Sequence, residues 1–314
     1  MKEIKIQQIS IIKYLITLVK SLKGKTHKYV IHIVLKILNT IIPSVTKEII
    51  KRYELEIIKK IELTTQIISP LKTLEEIEQS IYQQKKGAFM RFGDGDAYLA
   101  VGINDTLQTS NPAISKEMRE AFSLKGENIF KSLSIHSHNY GFEKEMYVGN
   151  HLVKDELANQ LLIFTYPYFV GHKIYSPICL HYAAAYFPER ANQFLKILKK
   201  HCILFIGNES IPVNTIEILF GSIKHIKTPV QNAFDQISRI EKESTDALEK
   251  INKFGIVVVA MGCSGRPLMK RLHNKDYNVF IFDFGSLLDG ICGYKTRTWL
   301  KKEEINYKLI LAGL

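Results

Sequence analysis

The sequence predicts an α/β protein in which helices cover both faces of a mostly parallel sheet, preceded by a helical N-terminal extension. From residue 201 onward, short apolar runs such as 256–260 alternate with helical patterns. Strands of parallel sheets are buried on both faces, so they are continuous apolar runs rather than alternating ones. The 314 residues, 46% hydrophobic and 24% charged, have the composition of a globular protein with a sizeable core.

The elements follow from hydrophobic periodicity and from the residues that interrupt it. A helix is predicted over 71–86 because its apolar residues fall on one face, and Gly87 ends it. The apolar run 88–92 is predicted to be a buried strand, followed by a tight turn at 93–96. Further helices are predicted near 115–125, 143–165, 189–200, 213–220, 232–252 and 267–273, and further strands at 129–135, 202–206, 223–227, 256–260 and 279–283.

Residues 1–70 are predicted to form the extension and residues 71–314 the main domain. Residues 1–52 contain eleven basic and two acidic residues, a net charge of +9, whereas the whole chain carries +12. Lysines alternate with apolar residues at helical spacing, which is typical of an amphipathic helix on an anionic membrane surface; a helical arm that packs on the protein remains an alternative. We expect no nucleic-acid partner, because a basic helix alone contains no recognition module.

The four cysteines lie at scattered positions without the spacing of a zinc site, and no secretory signal is apparent. This usage predicts a reduced, cytoplasmic setting, with peripheral attachment to the inner face of the cell membrane if the extension binds lipid.

Three predicted strands end in residues that are suited to chemistry. Asp94 and Asp96 follow the strand at 88–92, and each comes after a glycine. Two carboxylates at this spacing suit a divalent cation such as Mn²⁺ or Mg²⁺. A plain Asp-Gly turn is the alternative explanation.

The second strand end, residues 262–266, is a glycine-bounded turn before a helix. Free N–H groups at a helix start favour an anion such as a phosphate, and Arg266 is placed to pair with one. Alternatively, the glycines serve only a close connection. At the third strand end, Asp283 is a candidate base or ligand, or a helix cap.

Residues 71–96 resemble the opening of the GT-D-fold glycosyltransferases, whose signature is Arg-aromatic-Gly-Asp-Gly-Glu after such a helix. The specific part is the run Arg91-Phe92-Gly93-Asp94-Gly95-Asp96. Later landmarks also look similar, and the order and spacing match over about residues 71–300: Thr228-Pro229, Asn232-Ala233-Phe234, the strand–turn–helix at 257–268 and Asp283-Phe284-Gly285.

The resemblance implies a Rossmann-like fold in which the acidic motif engages a divalent metal and a nucleotide-sugar donor, usually a UDP-hexose. Asp94 and Asp96 take the place of the family's two acids, so they are the expected metal ligands. Here the second acid is Asp instead of Glu, and Tyr166, Asn208 and Ser286 also depart from the family pattern. The expected donor-binding residues are Arg91, Phe92, Gly93, Gly95, Asn232, Gly262, Ser264, Gly265 and Arg266.

The resemblance therefore implies a metal-dependent glycosyltransferase that acts in cell-surface glycan assembly on a glycan, glycoprotein or lipid-linked acceptor. Asp94, Asp96 and Asp283 are its expected catalytic residues. The departures from the family pattern also suit an alternative, a non-catalytic nucleotide-sugar-binding subunit that recruits a partner glycosyltransferase to the membrane. A phosphate-ester hydrolase would use the same acids, but the sequence contains no nucleophile motif for one.

Overall fold

A computed structural model describes residues 65–133, 165, 167–169 and 173–314. Residues 1–64 of the predicted extension lie outside this range, as does the predicted helix at 143–165 except for Thr165. The structural statements that follow concern the described residues.

Six strands form one sheet in the order β2-β1-β6-β5-β3-β4, and every neighbouring pair is parallel. The α/β fold with a parallel sheet is thereby confirmed. The strands are β1 (Gly87–Phe92), β2 (Ile129–Leu133), β3 (Cys202–Asn208), β4 (Lys224–Thr228), β5 (Gly255–Ala260) and β6 (Val279–Asp283).

Among the described residues, one helix precedes the first strand, and the other helices lie between the strands or follow the last of them. Within this part of the chain, no helix combines the length and apolar character that crossing a bilayer requires. The helices are α1 (Pro70–Tyr82), α2 (Asp94–Ala100), α3 (Pro112–Phe122), α4 (Cys179–Tyr186), α5 (Pro188–His201), α6 (Val213–Phe220), α7 (Ile237–Leu248), α8 (Gly265–His273), α9 (Leu287–Ile291), α10 (Thr298–Lys302) and α11 (Tyr307–Ile310), with 3₁₀ turns at Ala233–Gln236 and Gly262–Ser264.

The sheet is covered on both faces because alternate side chains of each strand point to opposite sides. Phe280 and Phe282 of β6 join the large core cluster with α1, α4, α5 and α6. Ile281, between them, is also fully buried, on the face where α8 contacts β1, β5 and β6. Helices α3 and α7 pack beside α8.

Three predicted elements differ from the structure. Helix α1 ends at Tyr82, because Gln84 takes a left-handed conformation (φ 52°). The tight turn predicted at 93–96 is instead the start of α2, with Gly93 as its N-cap. The predicted helix 232–252 is divided: Asn232 is left-handed (φ 53°), a 3₁₀ turn follows, and α7 ends at Leu248.

Helix α4 was missed in the sequence because it lacks an amphipathic pattern. Residues 179–184, which include His181, are all buried, so no exposed polar face marks the helix. A helix that is apolar all round is a buried helix, and periodicity does not identify it.

Replacing Phe282 tests how much the packing of the central core contributes to stability. Its ring is fully buried, and it packs against Phe89 and Phe194, each with ring centroids 5.3 Å away. We expect Phe282→Ala to lower the free energy of unfolding by about 3–5 kcal/mol, because the removed ring leaves a cavity. Urea unfolding followed by circular dichroism measures this loss. Tyr82→Ala, at a side chain that is 65% exposed, is the control and should change stability by about 0.5 kcal/mol or less.

Candidate functional site

Three strand ends meet at one edge of the sheet. Strands β1, β6 and β5 are neighbours and parallel, so their carboxyl ends place residues 93–96, 283–285 and 262–266 side by side. Ligands of such sheets bind beyond the carboxyl ends of the strands. The structure thus brings together the three strand ends that the sequence singles out.

The two aspartates of the acidic motif lie in different surroundings. Asp94 is exposed, and its Oδ1 accepts a hydrogen bond from the Gly95 N–H at 3.0 Å. Asp96 is 2% exposed, and its Oδ2 accepts from the N–H of the N-cap Gly93 at 2.8 Å. Residues two apart in an α-helix differ by about 200° around the axis, so the two carboxylates do not share a face.

Arg266 lies at the centre of the three strand ends. Its Nε is 3.3 Å from Asp96 Oδ1, and its Nη1 is 3.2 Å from Asp283 Oδ2. It also donates hydrogen bonds to the carbonyls of Arg91 and Gly262. Burial raises the pKa of Asp96 to about 6, and the nearby Arg266 opposes that rise. Arg266 therefore joins all three segments and supplies positive charge to two buried carboxylates.

Arg91 is held against the end of β6. Its Nε donates to the Pro177 carbonyl at 2.6 Å, and its Nη1 is 3.9 Å from Asp283 Oδ1. Gly285 has φ 71°, and a Cβ there would lie 1.2 Å from Arg91 Nη1. Glycine is therefore required at 285 both by the backbone conformation and by the guanidinium that occupies the side-chain space. Phe92, by contrast, is a core residue that stacks on Phe122 with ring centroids 4.1 Å apart.

The β5–α8 turn combines an open position with closely packed ones. Gly262 has φ 59°, and a Cβ there would meet nothing within 4 Å, so its backbone borders open space. A Cβ on Gly265 would lie only 3.2 Å from Val259 Cγ1. Ser264 is 2% exposed, and its hydroxyl donates to Gln108 Oε1 at 2.8 Å. Ser264 thus contacts the protein, and Gly262 offers the room for a ligand.

Asn232 also contacts the protein. Its N–H donates to the Leu107 carbonyl at 2.9 Å, and its Oδ1 accepts from the Thr109 N–H at 2.8 Å. These contacts hold the loop between α2 and α3, residues 101–111, beside the site. Sequence reasoning missed Gln108 and Asp105 of this loop. No local pattern marks them, and only their contacts across the fold show their position.

Comparison with known proteins decides the family. The sequence profile of the GT-D glycosyltransferase fold matches residues 89–307. This range contains all three strand ends and covers more than half of the chain. The chain belongs to the GT-D glycosyltransferase family.

Solved structures agree with this assignment at the level of the fold. A glycosyltransferase (DUF1792) from Streptococcus sanguinis aligns with a TM-score of 0.56 at 16% identity, covering 78% of this chain and 92% of its own. A structure of domain of unknown function 1792, described as having a distinct glycosyltransferase fold, aligns with a TM-score of 0.56 at 17% identity, covering 74% and 82%. A selenomethionine-substituted DUF1792 domain aligns with a TM-score of 0.57 at 18% identity and the same coverage. No curated protein matches the chain significantly.

The family assignment identifies this GT-D chain as a glycosyltransferase, and it raises the question of a metal. Among the described residues, no three His, Cys, Asp or Glu side chains cluster as a metal site. The buried oxygens Asp96 Oδ1 and Asp283 Oδ2 accept no hydrogen bond, but the Arg266 guanidinium lies beside both. Asp94 and Asp96, as they lie, do not fit one shared ion.

Replacing Arg266 tests how much its charge stabilises the buried carboxylates of the GT-D site. In Arg266→Ala, Asp96 loses its paired cation while it stays buried, and Asp283 keeps only the more distant Arg91. We expect the free energy of unfolding to fall by about 3–5 kcal/mol, as when one partner of a buried pair is removed. Urea unfolding at pH 7 measures it.

Arg239→Ala is the matched control, because Arg239 and Glu243 form an exposed pair at 2.9 Å on α7. Such a pair contributes about 0–1 kcal/mol. Equal small losses in the two variants would contradict the central role of Arg266.

Proposed function

We propose that this glycosyltransferase transfers a hexose from a nucleotide-sugar donor, in the first instance a UDP-hexose, to a glycan or glycoprotein in the assembly of cell-surface glycans. The observation that carries the proposal is the juxtaposition of residues 91–96 and 262–266 at the carboxyl edge of the sheet, with Arg266 bridging them. The open space beside Gly262 lies at the same edge.

The chemistry of the reaction matches the charges of this edge. The bond between the anomeric carbon and the phosphate oxygen breaks, and the acceptor oxygen bonds to that carbon as it loses its proton. The leaving nucleoside diphosphate gains negative charge. The start of α8 directs N–H groups towards an anion there. The Arg91 and Arg266 guanidinium groups lie nearby and offset the charges of Asp96 and Asp283, which would otherwise repel the anion.

The roles of the acids remain proposals. Asp283 is the proposed base, although Arg266 and Arg91 both lie beside it. Mn²⁺ or Mg²⁺ is the proposed cofactor, and the exposed Asp94 is its most accessible protein ligand. When bound, the ion would offset charge on the donor diphosphate. Asp96 would have to separate from Arg266 before it could join Asp94 as a ligand.

The donor and the metal are tested together. We expect one nucleotide sugar from a UDP, GDP, ADP, CDP and TDP panel to raise apparent stability by about 2.7 kcal/mol at a hundredfold excess over Kd. Thermal unfolding measures the shift, with Mn²⁺ and with EDTA, and chromatography measures release of the nucleoside diphosphate. EDTA should reduce both.

Substitutions test whether the effect of the metal on turnover depends on the acidic motif. Asp94→Asn should lower turnover by about 100-fold, in the range of losing a group that stabilises transition-state charge. Asp246→Asn, at an exposed position of α7, should leave turnover unchanged. Full turnover in EDTA and in Asp94→Asn would contradict the metal proposal. Donor binding without release of the nucleoside diphosphate would favour the alternative, a non-catalytic subunit that recruits a partner enzyme.

The basic residues 1–52 carry a separate proposal, binding to an anionic membrane surface where lipid-linked acceptors lie. Vesicles of phosphatidylcholine with phosphatidylglycerol should sediment the full chain, and vesicles of phosphatidylcholine alone should not. Replacing Lys2, Lys5, Lys13 and Lys20 with Gln should weaken binding by at least about tenfold, since each lysine near the surface contributes about 1 kcal/mol. Equal sedimentation with both vesicle types would contradict the proposal.

A further inference from the structure

Gln108 of the 101–111 loop is buried beside the β5–α8 turn, and its amide joins segments that lie far apart in the chain. The residue is 3% exposed. Its Oε1 accepts two hydrogen bonds, from Ser264 Oγ at 2.8 Å and from the Phe234 N–H at 3.1 Å. Its Nε2 donates to the Thr109 carbonyl at 3.0 Å. One side chain thus fixes the 101–111 loop, the β5–α8 turn and the start of the 3₁₀ turn after Asn232.

The contacts of Asn232 strengthen the same connection. Its hydrogen bonds with Leu107 and Thr109 flank Gln108 on both sides in the sequence. Asn232 makes these contacts from a left-handed backbone conformation (φ 53°). The loop is therefore held to two strand connections by backbone and side-chain contacts together.

The other end of the loop reaches the acidic motif. A Cβ on Gly95 would lie 2.5 Å from Asp105 Oδ1 and 3.0 Å from Cys263 Sγ. Asp105 Oδ2 in turn accepts from the Leu107 N–H at 3.2 Å. The loop thus spans from Gly95, between the two acids, to the turn that contains Gly262. A displacement of the loop would remove the side chains that border both parts of the site.

We propose that Gln108 is a positioning residue for donor binding: it sets the 101–111 loop and the β5–α8 turn at the separation that the donor diphosphate requires. This inference rests on the proposed function and deepens it. It also gives Ser264 a different role from the expected one. Ser264 acts through Gln108 and does not contact the donor.

The test variant is Gln108→Met, which keeps the length of the side chain but removes its hydrogen-bonding groups. The Ser264 hydroxyl and the Phe234 N–H lose their acceptor, so the side-chain connection between the loop and the turn is lost. We expect the donor KM, and the Kd of the matching nucleoside diphosphate, to rise by about 10- to 100-fold, which corresponds to about 1.4–2.8 kcal/mol of binding free energy. The kcat at saturating donor should change by less than about threefold, because Gln108 is not in contact with Asp94.

Gln236→Met is the matched control. Gln236 is exposed in the adjacent 3₁₀ turn, and its Oε1 accepts only from Arg239 among the contacts that the structure describes. It should leave KM, Kd and kcat unchanged. Urea unfolding of each variant verifies that all measurements are made on folded protein.

A double-mutant cycle with Ser264→Ala tests whether Ser264 affects donor binding through Gln108 or by a direct contact. If Ser264 acts through Gln108, the variant with both changes should bind the nucleoside diphosphate no more weakly than Gln108→Met alone. If the increases in Kd of the two single variants multiply in the double variant, Ser264 contacts the donor by itself, and its proposed action through Gln108 is wrong.

The starting point is isothermal titration of the wild-type chain with UDP, GDP, ADP, CDP and TDP. Wild-type protein that binds none of them would overturn the proposed function and this inference with it. Wild-type binding that Gln108→Met leaves unchanged would overturn the inference alone. So would a fall in kcat at unchanged KM, because a positioning residue for the donor must change KM.

Discussion

The candidate site depends on one buried guanidinium. Arg266 lies within 3.3 Å of carboxylate oxygens from Asp96 and Asp283, and both acids are almost fully buried. Two carboxylates so placed would repel each other and lack solvation, and a cation between them offsets both costs. Its hydrogen bonds to the carbonyls of Arg91 and Gly262 use further donors of the same group. The carboxyl ends of β1, β5 and β6 are thereby fixed by electrostatics as well as by the sheet.

Around this centre, glycines and polar side chains determine which surface remains open. Gly285 makes room for Arg91, and Gly265 allows α8 to approach Val259. Gly262, with no atom near its absent Cβ, borders open space. The 101–111 loop closes one side through Gln108. The open space at Gly262 thus lies at the start of α8, and Asp94 is exposed in the neighbouring segment 93–96.

The sequence was sufficient to predict the parallel sheet, because β1, β3, β5 and β6 are largely apolar runs that alternate with helical patterns. It also identified the three strand ends and the family, since residues 91–96 are a specific motif. It did not predict α4, whose burial on all sides removes periodicity, or the helical start at Asp94. Nor did it distinguish the environments of Asp94 and Asp96. That difference depends on helix geometry and on Arg266, whose partners Asp96 and Arg91 lie far away in the chain.

The distance in sequence between those partners has a consequence for folding. Arg266 and Arg91, whose carbonyl it binds, are 175 residues apart. The entropy lost in closing a long loop makes contacts between such distant segments slow to form. The guanidinium can be buried only when β1 has joined β6 and β5 is in place. We therefore expect the site to assemble late in folding, and a partly folded chain in which β1 has not joined the sheet to lack the site as well.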